Sequence, residues 1–208
     1  MPEVNVKALA ELIHLPVYGY ARILAEEKYP RQVPAVFRVP FYGPALQAIR
    51  RYYRSGNDLA VIDRAIQEVR ASGALPPKIA HNVAVLQAFR QGRQRRRDLT
   101  VTGVTIYQIE LAGVHVRFRP DVQVLEGDRT KYLIYAFRIV EPSLEVARTT
   151  VELAHHVLAA NGVQCQPRDV EFVSLRSGHV VRTDRVRAAT LARARHCARA
   201  IVHVWPDV

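Results

Sequence analysis

Residues Phe118–Arg138, FRPDVQVLEGDRTKYLIYAFR, decide how this chain is interpreted. Pro120-Asp121 precedes a run that alternates between apolar and polar residues, the pattern of a half-buried strand. Glu126-Gly127-Asp128 has the composition of a turn, and Tyr132 to Val140 is apolar enough to be a central strand. The stretch predicts two strands joined by a tight turn. An aspartate lies where the first strand begins, and a basic residue, Arg138, lies near the end of the second.

The residues on either side of this stretch supply further strands and two helices. Leu99 to Leu111 alternates and is rich in β-branched residues, which predicts a strand that Ala112-Gly113 turns into another at 114–118. Beyond Arg138 the predicted elements are a helix from Pro142-Ser143 through Ala160, strands at 170–175 and 179–182, and a closing helix at 184–204.

The N-terminal half has helical spacing and is interrupted by proline. The predicted helices cover 6–15, 17–28, 44–54, 58–73 and 76–92, the fourth of them capped by Asp58. Residues 30–44 contain four prolines and predict an ordered loop instead of a regular element. We therefore divide the sequence into a helical region, 1–92, a basic linker, 93–98, and an α/β domain, 99–208.

The composition is that of an ordinary globular protein. The chain has 208 residues, of which 49% are hydrophobic and 24% charged, enough for a substantial core. No apolar run approaches the ~20 residues needed to span a bilayer, and the N-terminus lacks the layout of a signal peptide. Two cysteines, Cys165 and Cys197, are too few for a disulfide framework and lack the spacing of metal ligands. We expect a cytoplasmic protein with no membrane partner.

The net charge of +11 predicts a polyanionic partner, DNA or RNA. Nearly all of the positive charge is arginine, which suits bidentate contacts to phosphate. Codon usage in a GC-rich genome would also explain the preference for arginine over lysine. It would not explain the excess of basic over acidic residues.

From residue 76 to about 200 the chain resembles the PD-(D/E)XK nuclease superfamily, whose core has the order αβββαβ. The resemblance rests on this order of elements and on Pro120-Asp121 at the start of a strand. It implies an α+β fold in which a helical N-terminal half is followed by a nuclease-like mixed β-sheet with flanking helices. In the family, the aspartate and an acid on the next strand bind Mg²⁺, and a lysine two residues after that acid orients or activates water.

This chain departs from the family motif at two of its three positions. Asp121 matches the first metal ligand, but Ala136 stands where the second acid is expected and Arg138 replaces the lysine. An arginine stays protonated, so it can hold a phosphate but is a poor proton acceptor. Glu110 on the preceding strand is the candidate for a displaced carboxylate, and Glu141 lies just beyond the strand. Alternatively, Asp121 is only a turn residue at the edge of a strand.

Seven arginines are candidates for phosphate contacts: Arg93, Arg95, Arg96, Arg97, Arg117, Arg119 and Arg193. The first four lie in the basic linker, which could equally be a solvated connection. Arg117 and Arg119 flank Asp121 on one side of their strand, where they could bind an anion or neutralise the aspartate. Arg193 belongs to the polar face of the last helix, which could also be simply solvated.

The leading functional hypothesis is therefore a nucleic-acid-binding protein with a degenerate catalytic motif, as a subunit of a larger nucleoprotein assembly. One alternative is an active Mg²⁺-dependent nuclease that uses Asp121, Arg138 and Glu110, with Asp121 as the metal ligand. Another is a non-enzymatic adaptor or inhibitor that binds protein partners or associates with itself.

Overall fold

The computed structural model describes residues 1–29, 41–137 and 141–208. Over these residues the chain forms seven α-helices and eight β-strands in two mixed sheets, so the predicted α+β class is confirmed. The helices are α1 (Val6–Leu12), α2 (Tyr20–Lys28), α3 (Gly43–Arg54), α4 (Leu59–Arg70), α5 (Pro76–Gln91), α6 (Leu144–Ala160) and α7 (Ala188–Val204). The strands are β1 (Glu3–Asn5), β2 (Thr100–Gly103), β3 (Tyr107–Leu111), β4 (Val114–Phe118), β5 (Val122–Glu126), β6 (Arg129–Ala136), β7 (Val170–Ser174) and β8 (Val180–Val181).

The larger sheet has the strand order β2-β5-β6-β7-β8. β5 and β6 form the predicted antiparallel pair, with Val122 opposite Leu133, and Gly127 makes the turn between them at a φ of +62°. β7 lies parallel to β6, and α6 makes the crossover between them. β5 and β6, at residues 122–136, therefore lie in the interior of the larger sheet, with β6 as its central strand.

The smaller sheet has the order β1-β4-β3 and differs from the sequence expectation. The single strand expected over Leu99 to Leu111 is wrong, because β2 and β3 belong to different sheets. The pairing of β2 with β5 shifts between Val101 and Gly103, and Gly103 adopts a φ of +157° that redirects the chain. β1, which lies parallel to β4, had no signal in the sequence.

The larger sheet is covered on both faces, and each face belongs to a different hydrophobic core. Leu133 and Val173 pack with α3, α4 and α5, whereas Ile134 and Phe172 pack with α1, α2, α6, α7 and the smaller sheet. This follows from the alternation of side chains along a strand. The helices of the predicted helical region 1–92 consequently lie on both faces of the sheet.

Polar side chains cap three of the helices. The side chains of Asn5, Asp58 and Ser143 accept hydrogen bonds from the first turns of α1, α4 and α6. The last helix, α7, begins at Ala188 and not at 184, and buries Thr190, Ala194, Cys197, Ala198 and Ile201. The end of the strand predicted to reach Val140, and most of the predicted loop 30–44, lie outside the described residues. Within the described ranges, no helix is long and apolar enough to cross a membrane.

Candidate functional site

Asp121 lies where the chain enters β5, and hydrogen bonds through both its backbone and its carboxylate hold it in place. Its backbone N–H donates to the carbonyl of Leu133 over 2.9 Å, which extends the ladder between β5 and β6. Its carboxylate Oδ2 accepts from the backbone N–H of Tyr135 over 2.7 Å and from Lys7 Nζ over 2.8 Å. The Asp121 side chain is 17% exposed. The carboxylate is therefore fixed beside the end of β6, where the family motif would place its second acid.

Lys7, which contacts Asp121, lies in the first turn of α1, 114 residues earlier in the sequence. Its ammonium also lies 3.4 Å from the carbonyl of Tyr135, and its side chain stays 43% exposed. Asn5 fixes the start of α1. Its side chain accepts a hydrogen bond from the backbone N–H of Ala8, which caps the helix, and donates one to the carboxylate of Glu27 over 2.5 Å. Burial raises the pKa of Glu27. Lys7 thus projects from an anchored backbone and not from a loose terminus.

Further cations surround the Asp121–Lys7 pair. The buried Arg50 on α3 donates from Nε and from Nη2 to the carbonyl of Asp121, over 2.8 and 2.6 Å. Burial lowers the pKa of Arg50, the nearby Asp121 opposes that shift, and Arg119 adds to it. Arg117 pairs with Glu3 over 2.8 Å. Lys7, Arg117 and Arg119 line one cavity of about 320 Å³, so the sequence-predicted neighbours of Asp121 do meet there.

The residues described around Asp121 do not suit a magnesium ion. No group of three or more His, Cys, Asp or Glu side chains that could hold a metal occurs within the described ranges. Asp121 Oδ2 already accepts from a cation and from a backbone N–H. Ala136, at the position of the family's second acid, offers no oxygen from its side chain. Arg138, predicted to replace the catalytic lysine, lies outside the described residues.

The two glutamates considered as displaced ligands lie in different places. Glu110 is exposed on β3 opposite His115, close to the turn of the β3–β4 hairpin, whereas Asp121 follows the other end of that hairpin. The structure therefore does not bring Glu110 to Asp121. Glu141 accepts hydrogen bonds from the hydroxyls of Ser174 and Ser177 and lines a second cavity, of about 1050 Å³, together with Lys7 and Ala136.

Arg97 is tied into the protein and is 14% exposed. Its guanidinium makes five hydrogen bonds, which occupy its five N–H donors: two to Glu126, two to the fully buried Glu171 and one to Gln94. Burial alone would lower the pKa of Arg97, but the hydrogen bonds to Glu126 and Glu171 raise it above the ordinary value. Of the arginines in the basic linker, Arg97 is thus the one that has no donor left for phosphate.

The other arginines of the linker face solvent to different degrees. Residues 94–96 form a 3₁₀ turn, in which Arg96 is exposed like Arg93 before it, while Arg95 is half-buried. The hydroxyls of Tyr52 and Tyr53 on α3 donate to the carbonyls of Arg95 and Gln94 and hold the turn in place. The same helix contacts Asp121 through Arg50, so α3 spans both basic sites.

The linker and the Asp121 site lie at opposite ends of β5. Arg97 bonds Glu126 at the end of the strand, and Asp121 precedes its start. Five strand residues correspond to roughly 17 Å. Arg193 lies elsewhere again: it is exposed on α7 and donates to the carbonyl of Ile13 just after α1, whose other end carries Lys7.

Two residues of the site, Lys7 and Arg50, were missed by the sequence analysis. Lys7 is separated from Asp121 by 114 residues and Arg50 by 71. Each lies on an amphipathic helix where a basic residue is ordinary. The one available signal was the rarity of lysine, since Lys7 is one of only four in the chain.

Comparisons with models of protein families, with curated proteins and with solved structures found no match to this chain. The resemblance to the PD-(D/E)XK superfamily therefore stays a prediction based on the sequence. What the site binds has to be inferred from its own geometry and charge.

Proposed function

We propose that this protein binds nucleic acid through a PD-(D/E)XK-like domain that no longer cleaves it. The observation that carries the proposal is the state of Asp121, the one motif residue that the sequence retains. Its carboxylate forms an ion pair with Lys7 at 2.8 Å, and Ala136 stands at the position of the second acid. An aspartate whose carboxylate already pairs with an ammonium is poorly suited to bind a metal ion. The same pairing holds the ammonium in position, where it can bind a phosphate.

The order of the elements supports the nuclease-like part of the proposal. α5, β2, β5, β6, α6 and β7 follow one another as helix, three strands, helix and strand, with the β3–β4 hairpin inserted after the first strand. β2, β5 and β6 are joined by antiparallel pairing, and β7 lies parallel to β6. This order is similar to the αβββαβ core of the superfamily.

The distribution of charge supports the binding part of the proposal. The chain carries a net charge of +11, and Arg93, Arg96 and Arg119 are exposed on the protein surface. The Asp121 site and the linker lie beside opposite ends of β5, which spans roughly 17 Å, about the rise of five base pairs at 3.4 Å each. One strand of nucleic acid could therefore contact both.

One observation favours the alternative of an active nuclease. Glu141 lines the same cavity as Lys7 and Ala136, so it is the carboxylate best placed to substitute for the missing acid. Its two oxygens accept from serine hydroxyls, which would have to be displaced by a metal. We therefore favour binding without cleavage.

The proposal is tested by measuring binding and cleavage on the same samples. Labelled single- and double-stranded DNA and RNA are titrated with protein at several salt concentrations, with Mg²⁺ or Mn²⁺ present. We expect binding that weakens steeply with salt, because phosphate contacts release counterions, and no cleavage products. Cleavage that Asp121→Asn abolishes would instead establish the nuclease. No binding to any of these ligands would favour a protein-interaction role.

A matched pair of variants locates the contact. Arg96→Gln removes an exposed linker charge, and we expect weaker binding with a salt slope lower by about one. Arg70→Gln removes an exposed charge at the end of α4 and serves as the control for loss of charge alone. Equal effects of the two substitutions would contradict a role for the linker.

A further inference from the structure

We infer that Lys7 takes the place of a divalent cation beside Asp121, so that the site binds a phosphate group without metal through Lys7, Arg117 and Arg119. The identification of the ligand as a backbone phosphate rests on the proposed function. The substitution of an ammonium for a metal ion goes beyond that function and is testable separately.

The first step of the inference concerns the carboxylate. A divalent cation is held by several oxygen ligands, commonly carboxylates. Here a single carboxylate, that of Asp121, already has an ammonium at 2.8 Å and a backbone N–H at 2.7 Å on the same oxygen. A metal at this oxygen would also face the charge of Lys7 at contact distance, which costs energy by direct repulsion. The positive charge beside Asp121 is therefore supplied by the side chain of Lys7 and not by a metal ion.

The second step concerns what the cation can still bind. An ammonium has three N–H donors, and Lys7 uses two of them, on Asp121 and on the carbonyl of Tyr135. The side chain is 43% exposed, so the remaining donor is accessible to a ligand. Arg119 is exposed and, within the described residues, has no carboxylate partner. Lys7, Arg117 and Arg119 all line the cavity of about 320 Å³, and Lys7 also lines the larger cavity of about 1050 Å³.

The third step is the balance of charge. Lys7, Arg50, Arg117 and Arg119 bring four positive charges, against three carboxylates: Asp121, the Glu3 that pairs with Arg117, and Glu27, which interacts with Arg117. Arg50 is buried below the aspartate, where it lies near a low-dielectric interior and is only partly screened. An anion that entered the cavity would compensate this excess. In this arrangement Asp121 is a positioning residue that aims Lys7 at the ligand.

The first test measures binding of a labelled oligonucleotide in EDTA and in Mg²⁺ at equal ionic strength. We expect the same affinity in both for the wild type. Lys7→Gln should lower the affinity by about 5- to 8-fold at 0.1 M salt, since one phosphate contact contributes a slope of about 0.7 to 0.9 in log affinity against log salt. Lys7→Arg should keep most of the affinity because it retains the charge. Lys78→Gln, on α5 at the opposite face of the sheet, is the control.

The second test separates loss of the site from loss of the fold. Lys7→Gln alone leaves Asp121 without its cation, so it is paired with Lys7→Gln/Asp121→Asn, in which a neutral amide pair replaces the ion pair. Sulfate serves as a phosphate mimic in thermal unfolding. We expect sulfate to raise the melting temperature of the wild type, because it binds the folded state, and to raise that of the double variant much less.

The outcomes distinguish this inference from the proposed function. If the wild type binds nucleic acid, and both Lys7→Gln and the double variant bind it with the same affinity as the wild type, the inference about Lys7 is wrong and the proposed function stands. Binding that requires Mg²⁺ would also overturn it. If the wild type binds no nucleic acid while sulfate still stabilises it through Lys7, the anion site stands and the proposed function fails.

Discussion

Replacing Arg97 by methionine should destabilise the protein strongly while leaving its affinity for nucleic acid unchanged. Arg97 follows the exposed arginines of the linker, yet its side chain is 14% exposed and bonds Glu126 and Glu171. Glu171, on the central parallel pair of strands, is fully buried. Methionine keeps much of the volume of the side chain but none of its hydrogen bonds. The substitution therefore removes the guanidinium that donates two hydrogen bonds to the buried carboxylate of Glu171.

The expected cost is about 3 kcal/mol. Removing one partner of a buried ion pair costs about 3–5 kcal/mol, mainly because the remaining charge stays desolvated. The lower end applies here, since Arg182 lies 2.9 Å from Glu171 and Lys131 lies 3.9 Å from it, so that Glu171 keeps some neutralisation. For a chain of this length, 3 kcal/mol corresponds to a fall in melting temperature of roughly 6–12 °C.

The assay is urea unfolding of the wild type, Arg97→Met, Glu171→Gln and the double variant. If the cost comes from an unpaired carboxylate, Glu171→Gln should be much less harmful in the Arg97→Met background than in the wild type. Arg96→Met, one residue earlier and exposed, is the control and should change stability by less than about 0.5 kcal/mol. A cost below about 1 kcal/mol for Arg97→Met, or additive effects in the cycle, would refute this reasoning.

Three further predictions concern stability. Hydrogen bonds from Arg97 lower the pKa of Glu126, and the pKa of Asp169 is also lowered, because its hydrogen bonds outweigh the raising effect of burial. The two ionised carboxylates contribute to the free energy of unfolding above the ordinary carboxylate pKa range, and this contribution is lost as the pH falls through their pKa values in the folded protein. The urea concentration at the unfolding midpoint should therefore decrease as the pH is lowered below about 4.5. A midpoint that does not change with pH would contradict this. Asn82→Ala should cost about 1–3 kcal/mol in urea unfolding, because the buried Asn82 accepts from Ala45 N–H over 3.0 Å and also donates two hydrogen bonds; a cost near zero would mean that water replaces them. Asp58→Ala removes the cap of α4 and should cost about 1 kcal/mol, with Asp58→Asn nearly neutral, and equal losses would argue against capping.

The parts of the fold that could be predicted from the sequence are those with local causes. The proline and glycine punctuation and the capping residue Asp58 predicted the helices between 43 and 91, and alternation predicted β4 and β5. By contrast, β1 is three residues long and acquires its structure from pairing with β4, more than a hundred residues later. A short segment with a distant partner leaves no periodic pattern in the sequence.

The candidate site also depends on contacts between residues that are distant in the sequence, and these contacts could not be predicted. Asp121 and its flanking arginines were predicted because they are close together in sequence. Arg96 and Arg97 are adjacent and chemically identical, yet one is exposed and the other bonds Glu171, 74 residues away. Which arginine of a basic run is free for a ligand depends on tertiary contacts. Sequence composition cannot assign it.

From Tyr132 to Ala136 the central strand β6 is buried and apolar on both faces, so its apolar pattern alone does not determine how it aligns with the neighbouring strands. In most strands a shift by one residue would move apolar side chains into water, and this penalty enforces the correct pairing. For β6 the same shift would only exchange one apolar face for the other. The polar end of the strand resolves the ambiguity, because a shift would carry Lys131 away from Asp169, 3.0 Å distant, and into the opposite core. We therefore expect neutral substitutions of Lys131 to slow refolding after urea dilution, because they permit misaligned strands, and also to lower stability, because among the described residues Asp169 keeps only Arg129 as its cation.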